Sequence, residues 1–272
     1  MTGKPAGPAR GILLVGCGKM GGALLAGWKR RRLTQPLAVV EPQPVALPPG
    51  VKRYAAPDGL PRRYAPAAVV LAVKPQSLAA TLPAYQRLAD GNTVFLSIAA
   101  GKTLRFFARA LGEDAALVRA MPNTPAAIGR GIAVACANDR VTAAQRALCF
   151  KLLGAVGEVA WVEDEALLDP VTAVSGSGPA YVFLLIECLA EAGIAAGLPG
   201  DLAMTLARAT VAGSGELARR SSEDAAQLRR NVTSPGGTTE AALKVLMGDG
   251  GLATLMRRAI AAATARSRAL AD

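Results

Sequence analysis

The chain has 272 residues, 51% of them apolar, enough for a sizeable core in one large or two medium domains, and disorder over most of the length is excluded. It holds no His, which removes imidazole bases and Ser-His-Asp triads. Its four Cys (Cys17, Cys136, Cys149, Cys188) lie too far apart for a disulfide scaffold or zinc finger and suit a reducing compartment. The net charge of +11 is scattered along the chain without interleaved aromatics, so small anionic ligands, and not nucleic acid, are the expected partners.

Residues 11–16 (GILLVG) are a short apolar run between glycines and read as a strand buried on both faces. A helix pattern covers about 19–32, a second strand 37–41, and four prolines between 42 and 49 force a loop. Further strands are expected at 68–73 and 93–98, with a helix over 76–89 that Pro83 kinks. Apolar pieces near 115–120 and 131–136, a helix near 142–154 and a strand near 156–161 continue the alternation. Such βαβ units imply an α/β fold with a doubly wound parallel sheet.

Near Glu163 the rhythm changes. Only helical stretches follow, at about 163–174, 179–197, 200–218, 222–231, 238–247 and 250–269. The chain is therefore divided here into residues 1–165, sheet-rich, and 166–272, all-helical. The helix at 179–197 is apolar on nearly every face, and burial against a second copy of the chain accounts for it, so at least a homo-dimer is expected. Residues 181–198 carry Glu187 and Glu191 and are interrupted by Gly193 and Gly197, which argues against a membrane span. Residues 1–10 do not read as a signal peptide, so a soluble, cytoplasmic protein is expected.

Gly16-Cys17-Gly18-Lys19-Met20-Gly21 is a G-x-G-x-x-G turn between the first strand and the first helix. The first glycine permits the tight turn, the second lets a pyrophosphate reach the backbone, and the third brings helix and sheet together. The helix start then offers N–H groups and a positive dipole end to the phosphates. Glu41 ends the second strand, where an acid bonds adenosine ribose hydroxyls; this favours NADH, although Lys52 and Arg53 are near enough in sequence to reverse it. Ala72-Val73-Lys74-Pro75, Ala99 within Ser97 to Gly101, and Asn123 within Met121 to Pro125 follow later strands and are candidates to line the same nucleotide.

Two motifs open helices in the second part. Ser175-Gly176-Ser177-Gly178-Pro179-Ala180-Tyr181 precedes the apolar helix. Ser234-Pro235-Gly236-Gly237-Thr238-Thr239 bares backbone N–H groups beside hydroxyls, which suits a carboxylate. With the nucleotide turn, 72–75, 97–101 and 119–125, these motifs stand in the order found in the pyrroline-5-carboxylate reductases, which the sequence resembles over nearly its whole length.

The resemblance implies an N-terminal Rossmann domain binding NADPH or NADH, and an all-α C-terminal domain that interleaves with its mate in a dimer or a ring of dimers. It implies no metal. The active site would lie between the nucleotide domain and the helical dimer. An imino-acid substrate would set its carboxylate on Ser234, Gly236, Gly237 and Thr238, with Ser175 nearby and the Thr239 hydroxyl facing the ring nitrogen as the catalytic group. The reaction so implied would be hydride transfer to the C=N carbon of a cyclic imine, whose partly protonated form needs no strong protein acid.

Three positions depart from the family's common pattern: Lys19 for Asn, Glu240 for an apolar residue, and 54–60 without a polar Asn. A hydroxyacid dehydrogenase is disfavoured because no Lys occurs between Lys151 and Lys244. A six-membered cyclic imine stays open as the substrate. A basic nucleic-acid binder would leave the 234–239 loop unexplained.

Overall fold

A computed structural model describes residues 10–270, so all but the last residue of the segment read for a signal peptide lies outside the described residues. Eight strands form one sheet: β1 (Ile12–Val15), β2 (Leu37–Val40), β3 (Val51–Tyr54), β4 (Ala68–Leu71), β5 (Val94–Ser97), β6 (Ala116–Pro122), β7 (Gly131–Ala137) and β8 (Gly157–Trp161). Their order is β3-β2-β1-β4-β5-β6-β7-β8. Strands β1 to β6 run parallel, β7 turns antiparallel to β6, and β8 follows β7.

Strands β1, β2, β4 and β5 are buried at every position. Alternation sends Ile12, Leu14, Val39, Val70 and Leu96 to one face and Leu13, Val15, Val69, Leu71 and Phe95 to the other. The first face packs on α1 (Lys19–Arg30) through Leu24 and Trp28, and on α4 (Ala143–Gly154) through Leu152 and Leu153. Trp28 Nε1 donates to Leu152 O at 2.9 Å, so the fully buried indole ties the two helices together. The second face packs on Leu78 of α2 (Leu78–Thr81), on Leu82 and Tyr85 beyond it, and on Phe107 of α3 (Leu104–Leu111).

The structure differs from the sequence reading at four places in its secondary structure, and in topology at β7, which runs antiparallel within the parallel sheet expected. Strand β3 was not anticipated: it is a four-residue edge strand with Lys52 and Arg53 exposed, too short and polar to give a pattern. Helix α3 was not anticipated either; Thr103 caps it by accepting from Phe106 N at 3.1 Å. The helix expected over 76–89 breaks into a 3₁₀ turn at Pro75–Ser77, α2, and a 3₁₀ stretch Leu82–Leu88 that contains Pro83, whose missing N–H cannot extend an α-helix. The helix expected over 163–174 is instead a 3₁₀ turn, Glu165–Leu167, then α5 (Leu168–Val171) and a π-helical turn, Thr172–Gly176.

The remaining helices are α6 (Gly178–Ala195), α7 (Gly200–Arg220), α8 (Ala225–Asn231), α9 (Thr238–Leu246) and α10 (Leu252–Ala269). The described chain divides into two compact units. One runs to Gly176 and resumes at Ala263; the other is Ser177–Ala262. In the first unit the end of α10 is held by Ser267 Oγ, which donates to Asp169 Oδ1 at 2.7 Å. In the second, α6 packs on α7, yet Val182, Phe183, Leu184, Leu185 and Leu189 of α6 stay exposed. By length and composition alone, Glu165–Ala195 would be apolar enough to cross a membrane.

Candidate active site

The strand order reverses between β1 and β4, and ligands of open α/β sheets bind beyond the carboxyl ends of the strands at such a point. A cleft of about 600 Å³ lies there, lined among others by Val15 and Gly16 after β1, Val40 and Glu41 after β2, and Ala72 to Lys74 after β4. Gly16 has φ of +89°, a conformation that L side chains avoid, and a Cβ on it would lie 2.9 Å from Val73 N. A Cβ on Gly21 would run into Gly16 O, so the third glycine lets α1 start against the turn.

Gly18 is different. A Cβ there would meet nothing within 4 Å, and Gly18 lines the cleft. No side chain caps α1 and its first turn holds no acid, so its N–H groups and positive dipole end stay available. This open glycine at an uncapped helix start fits a dinucleotide pyrophosphate, held by the Gly16–Gly21 backbone.

Glu41 is anchored at the edge of the cleft. Its Oε2 accepts from Cys17 N at 2.8 Å and its Oε1 from Gln43 N at 3.1 Å. Arg53 lies alongside on β3, but its Nε donates to Glu41 O at 3.1 Å and one Nη to Pro42 O at 2.9 Å. Lys52 sits 5.1 Å from the centre of the Tyr54 ring. Burial, and then the Glu41 carboxylate, push the pKa of the Cys17 thiol above its ordinary value.

Of the other residues singled out in the sequence, Lys19 and Met20 form the first turn of α1, and Pro75 starts the 3₁₀ turn after β4. Ala99 is buried just beyond β5, its N–H donating to Ser97 Oγ at 3.3 Å. Asn123 Oδ1 accepts from Ile132 N at 3.0 Å and so holds the start of β7. Ser175 lies within the π-helical turn, where its Oγ donates to Val171 O at 3.0 Å. Pro57, Asp58, Ser77, Thr81, Ala84 and Tyr85 also line the cleft and carried no sequence signal. Tyr85 is fully buried, its hydroxyl has no hydrogen-bond partner among the described residues, and burial raises its pKa.

In the second unit, Ser234 to Gly237 lead into α9. Gly236 takes φ of +71° and its N–H donates to Glu240 Oε2 at 2.8 Å, while Gly237 N–H donates to Ser234 O at 3.0 Å. No side chain caps α9, which leaves its first-turn amides available; Thr239 is the second residue of that turn. Among the described residues no group of three or more His, Cys, Asp or Glu could hold a metal ion.

Residues 165–270 match the family model described as pyrroline-5-carboxylate reductase dimerisation. The pyrroline-5-carboxylate reductase of Pseudomonas aeruginosa is 44% identical over 204 residues, covering 75% of this chain and 74% of that protein. The chain belongs to the pyrroline-5-carboxylate reductase family. Among solved structures, that of the Coxiella burnetii pyrroline-5-carboxylate reductase is 33% identical with a TM-score of 0.88, covering 97% of this chain and 99% of that one. The Plasmodium falciparum pyrroline carboxylate reductase, solved with NADP bound, is 28% identical with a TM-score of 0.83 over the same shares. Membership of a family with a dimerisation domain implies a homo-oligomer, and the bare apolar side chains of α6 are a surface that such an assembly would cover.

Proposed function

We propose that the chain reduces 1-pyrroline-5-carboxylate to L-proline, the last step of proline biosynthesis, with NADPH or NADH as the hydride donor. The observation that carries this reading is the cleft at the strand-order reversal, with open Gly18 at an uncapped helix start, in a chain of this family. When bound, the dihydronicotinamide supplies the hydride that adds to the C=N carbon of the substrate.

The chain's own residues bind and orient. Residues 1–165 hold the dinucleotide through Gly16 to Gly21, Glu41, Ala72 to Pro75, Ala99 and Asn123. Residues 166–272 hold the substrate through Ser175 and the Ser234–Thr239 loop, and also dimerise, the dimers assembling further into rings. The Thr239 hydroxyl bonds the ring nitrogen and fixes which face of the imine is presented. Thr238 N–H receives the substrate carboxylate, and Gly236 N–H joins it only when the Glu240 carboxylate moves aside. The partners are thus a small imino acid, a dinucleotide and a second copy of the chain, with no nucleic acid, membrane or metal. A cytoplasmic location goes with this reading.

Oxidation of NADH and NADPH with pyrroline-5-carboxylate, measured side by side and against a six-membered cyclic imine, tests the assignment; no oxidation of either cofactor overturns it. Thr239→Ala should lower kcat/KM by roughly 10- to 10³-fold, about 1.4–4 kcal/mol, and Thr239→Ser should restore much of it. Unchanged kinetics in Thr239→Ala would remove the hydroxyl from the mechanism.

A further inference from the structure

Beyond the reaction itself, we propose that Glu41 makes the cleft select NADH over NADPH. The inference rests on the reading of the cleft as the dinucleotide site. Selection at its adenosine end depends on what meets the ribose 2′ position, which follows the second strand of such a sheet. Here that place is held by a carboxylate, and it cannot easily leave. One oxygen is bonded to an amide of the glycine turn and the other to an amide of the β2–β3 loop.

An ionised carboxylate has about four acceptor sites, so two amide bonds leave capacity for the 2′- and 3′-hydroxyls of an unphosphorylated ribose. A 2′-phosphate would meet the same oxygens as a like charge with no proton to share, a juxtaposition that costs binding. Rotation away is opposed chiefly by the part-buried Cys17 amide, which would lose its acceptor, while the exposed Gln43 amide can turn to water.

Rescue by a cation is the alternative that the sequence left open. Both candidates already have partners within the chain. Arg53 directs Nε and one Nη to the carbonyls of Glu41 and Pro42, and Lys52 lies over the Tyr54 ring. The other charged residues lining the cleft are Asp58, a second acid from the β3–β4 connection, and Lys74, which follows β4. The β2 side therefore carries acid without a cation committed to a phosphate.

Binding of NADH and of NADPH to the full-length protein, followed by nicotinamide fluorescence without substrate, reads the selectivity independently of turnover. NADH is expected to bind tighter by about 10- to 100-fold. Glu41→Ser should tighten NADPH and narrow that gap at least about tenfold, and Glu41→Gln, which keeps the side chain's shape and an acceptor, should narrow it in the same direction. Arg53→Ala should weaken both dinucleotides alike. Equal or tighter binding of NADPH by the unmodified protein overturns the proposal, as does a loss confined to NADPH in Arg53→Ala. NADH selectivity in a protein that does not reduce pyrroline-5-carboxylate would sink the proposed function and leave this inference standing.

Discussion

The two units of the chain treat their apolar residues in opposite ways. In the sheet unit, β1, β2, β4 and β5 bury every residue, and the largest side chains, Trp28, Tyr85, Phe95 and Phe107, are almost wholly enclosed. In the helical unit, Phe183 of α6 is 58% exposed and Leu184 56% exposed, in a helix with few polar residues. The sheet has helices on both faces to cover it. Six large apolar residues of α6 (Val182, Phe183, Leu184, Leu185, Leu189 and Ile194) have no equivalent cover among the described residues. The sheet core is thus closed as folded, although Ile128 and Phe150 of that unit stay exposed, while the helical unit leaves more of its apolar surface for a homo-oligomer to cover. Stability should follow intramolecular packing in the one and protein concentration in the other.

The largest expected effect tests the first half of that contrast. Trp28→Ala removes an indole that touches neither solvent nor a second chain, and it also strands Leu152 O. It should cost about 3–5 kcal/mol, read as a lower denaturation midpoint. The loss should not depend on protein concentration. A concentration-dependent loss would mean that the sheet unit also leans on the oligomer.

The second half breaks at α6. Leu184→Glu places a charge on the bare apolar face, and Phe183→Glu does the same one residue along. Either should weaken self-association by about 2–4 kcal/mol, seen in sedimentation as dissociation at concentrations where the unmodified protein is assembled. Both variants should keep dinucleotide binding, because the cleft is lined by the sheet unit alone. Unaltered assembly in both would remove this face of α6 from the interface.

How far the sequence could be read follows the same division. Buried parallel strands are continuous apolar runs, so β1, β2, β4 and β5 were legible within a residue or two. Strand β3 was not, because an edge strand with two charged side chains has neither run nor alternation. The glycine turn was legible because its chemistry is local: each glycine answers a constraint set within six residues. Asp58 and Thr81 were not, since only the order of strands brings the β3–β4 connection and the broken helix after β4 to one cleft. The bareness of α6 was legible from composition, because a helix apolar all round needs more cover than one small helical unit supplies. The bond from Gly236 N–H to Glu240 was not legible, since the sequence marks Glu240 only as a departure from the family's apolar residue.

That bond offers the smallest and most pointed test. Glu240 holds an amide in the loop assigned to the substrate carboxylate, and it also lies 3.9 Å from Lys244, one turn on in α9. A carboxylate already seated on Gly236 N–H competes with an incoming one, and the like charges oppose each other. The bond also steadies a turn whose glycine sits at positive φ. Glu240→Ala removes both effects. If competition dominates, KM for the imino acid should fall by about 2- to 10-fold, an exposed charged hydrogen bond contributing roughly 0.5–1.5 kcal/mol, with kcat little changed. If steadying dominates, KM should rise instead. Competition is expected to win, because α9 has uncapped amides of its own to hold the turn once a substrate carboxylate is bound. Glu240→Gln separates the two contributions: it keeps an acceptor for Gly236 N–H and removes the charge, so a KM that falls with Gln as far as with Ala assigns the effect to like-charge repulsion.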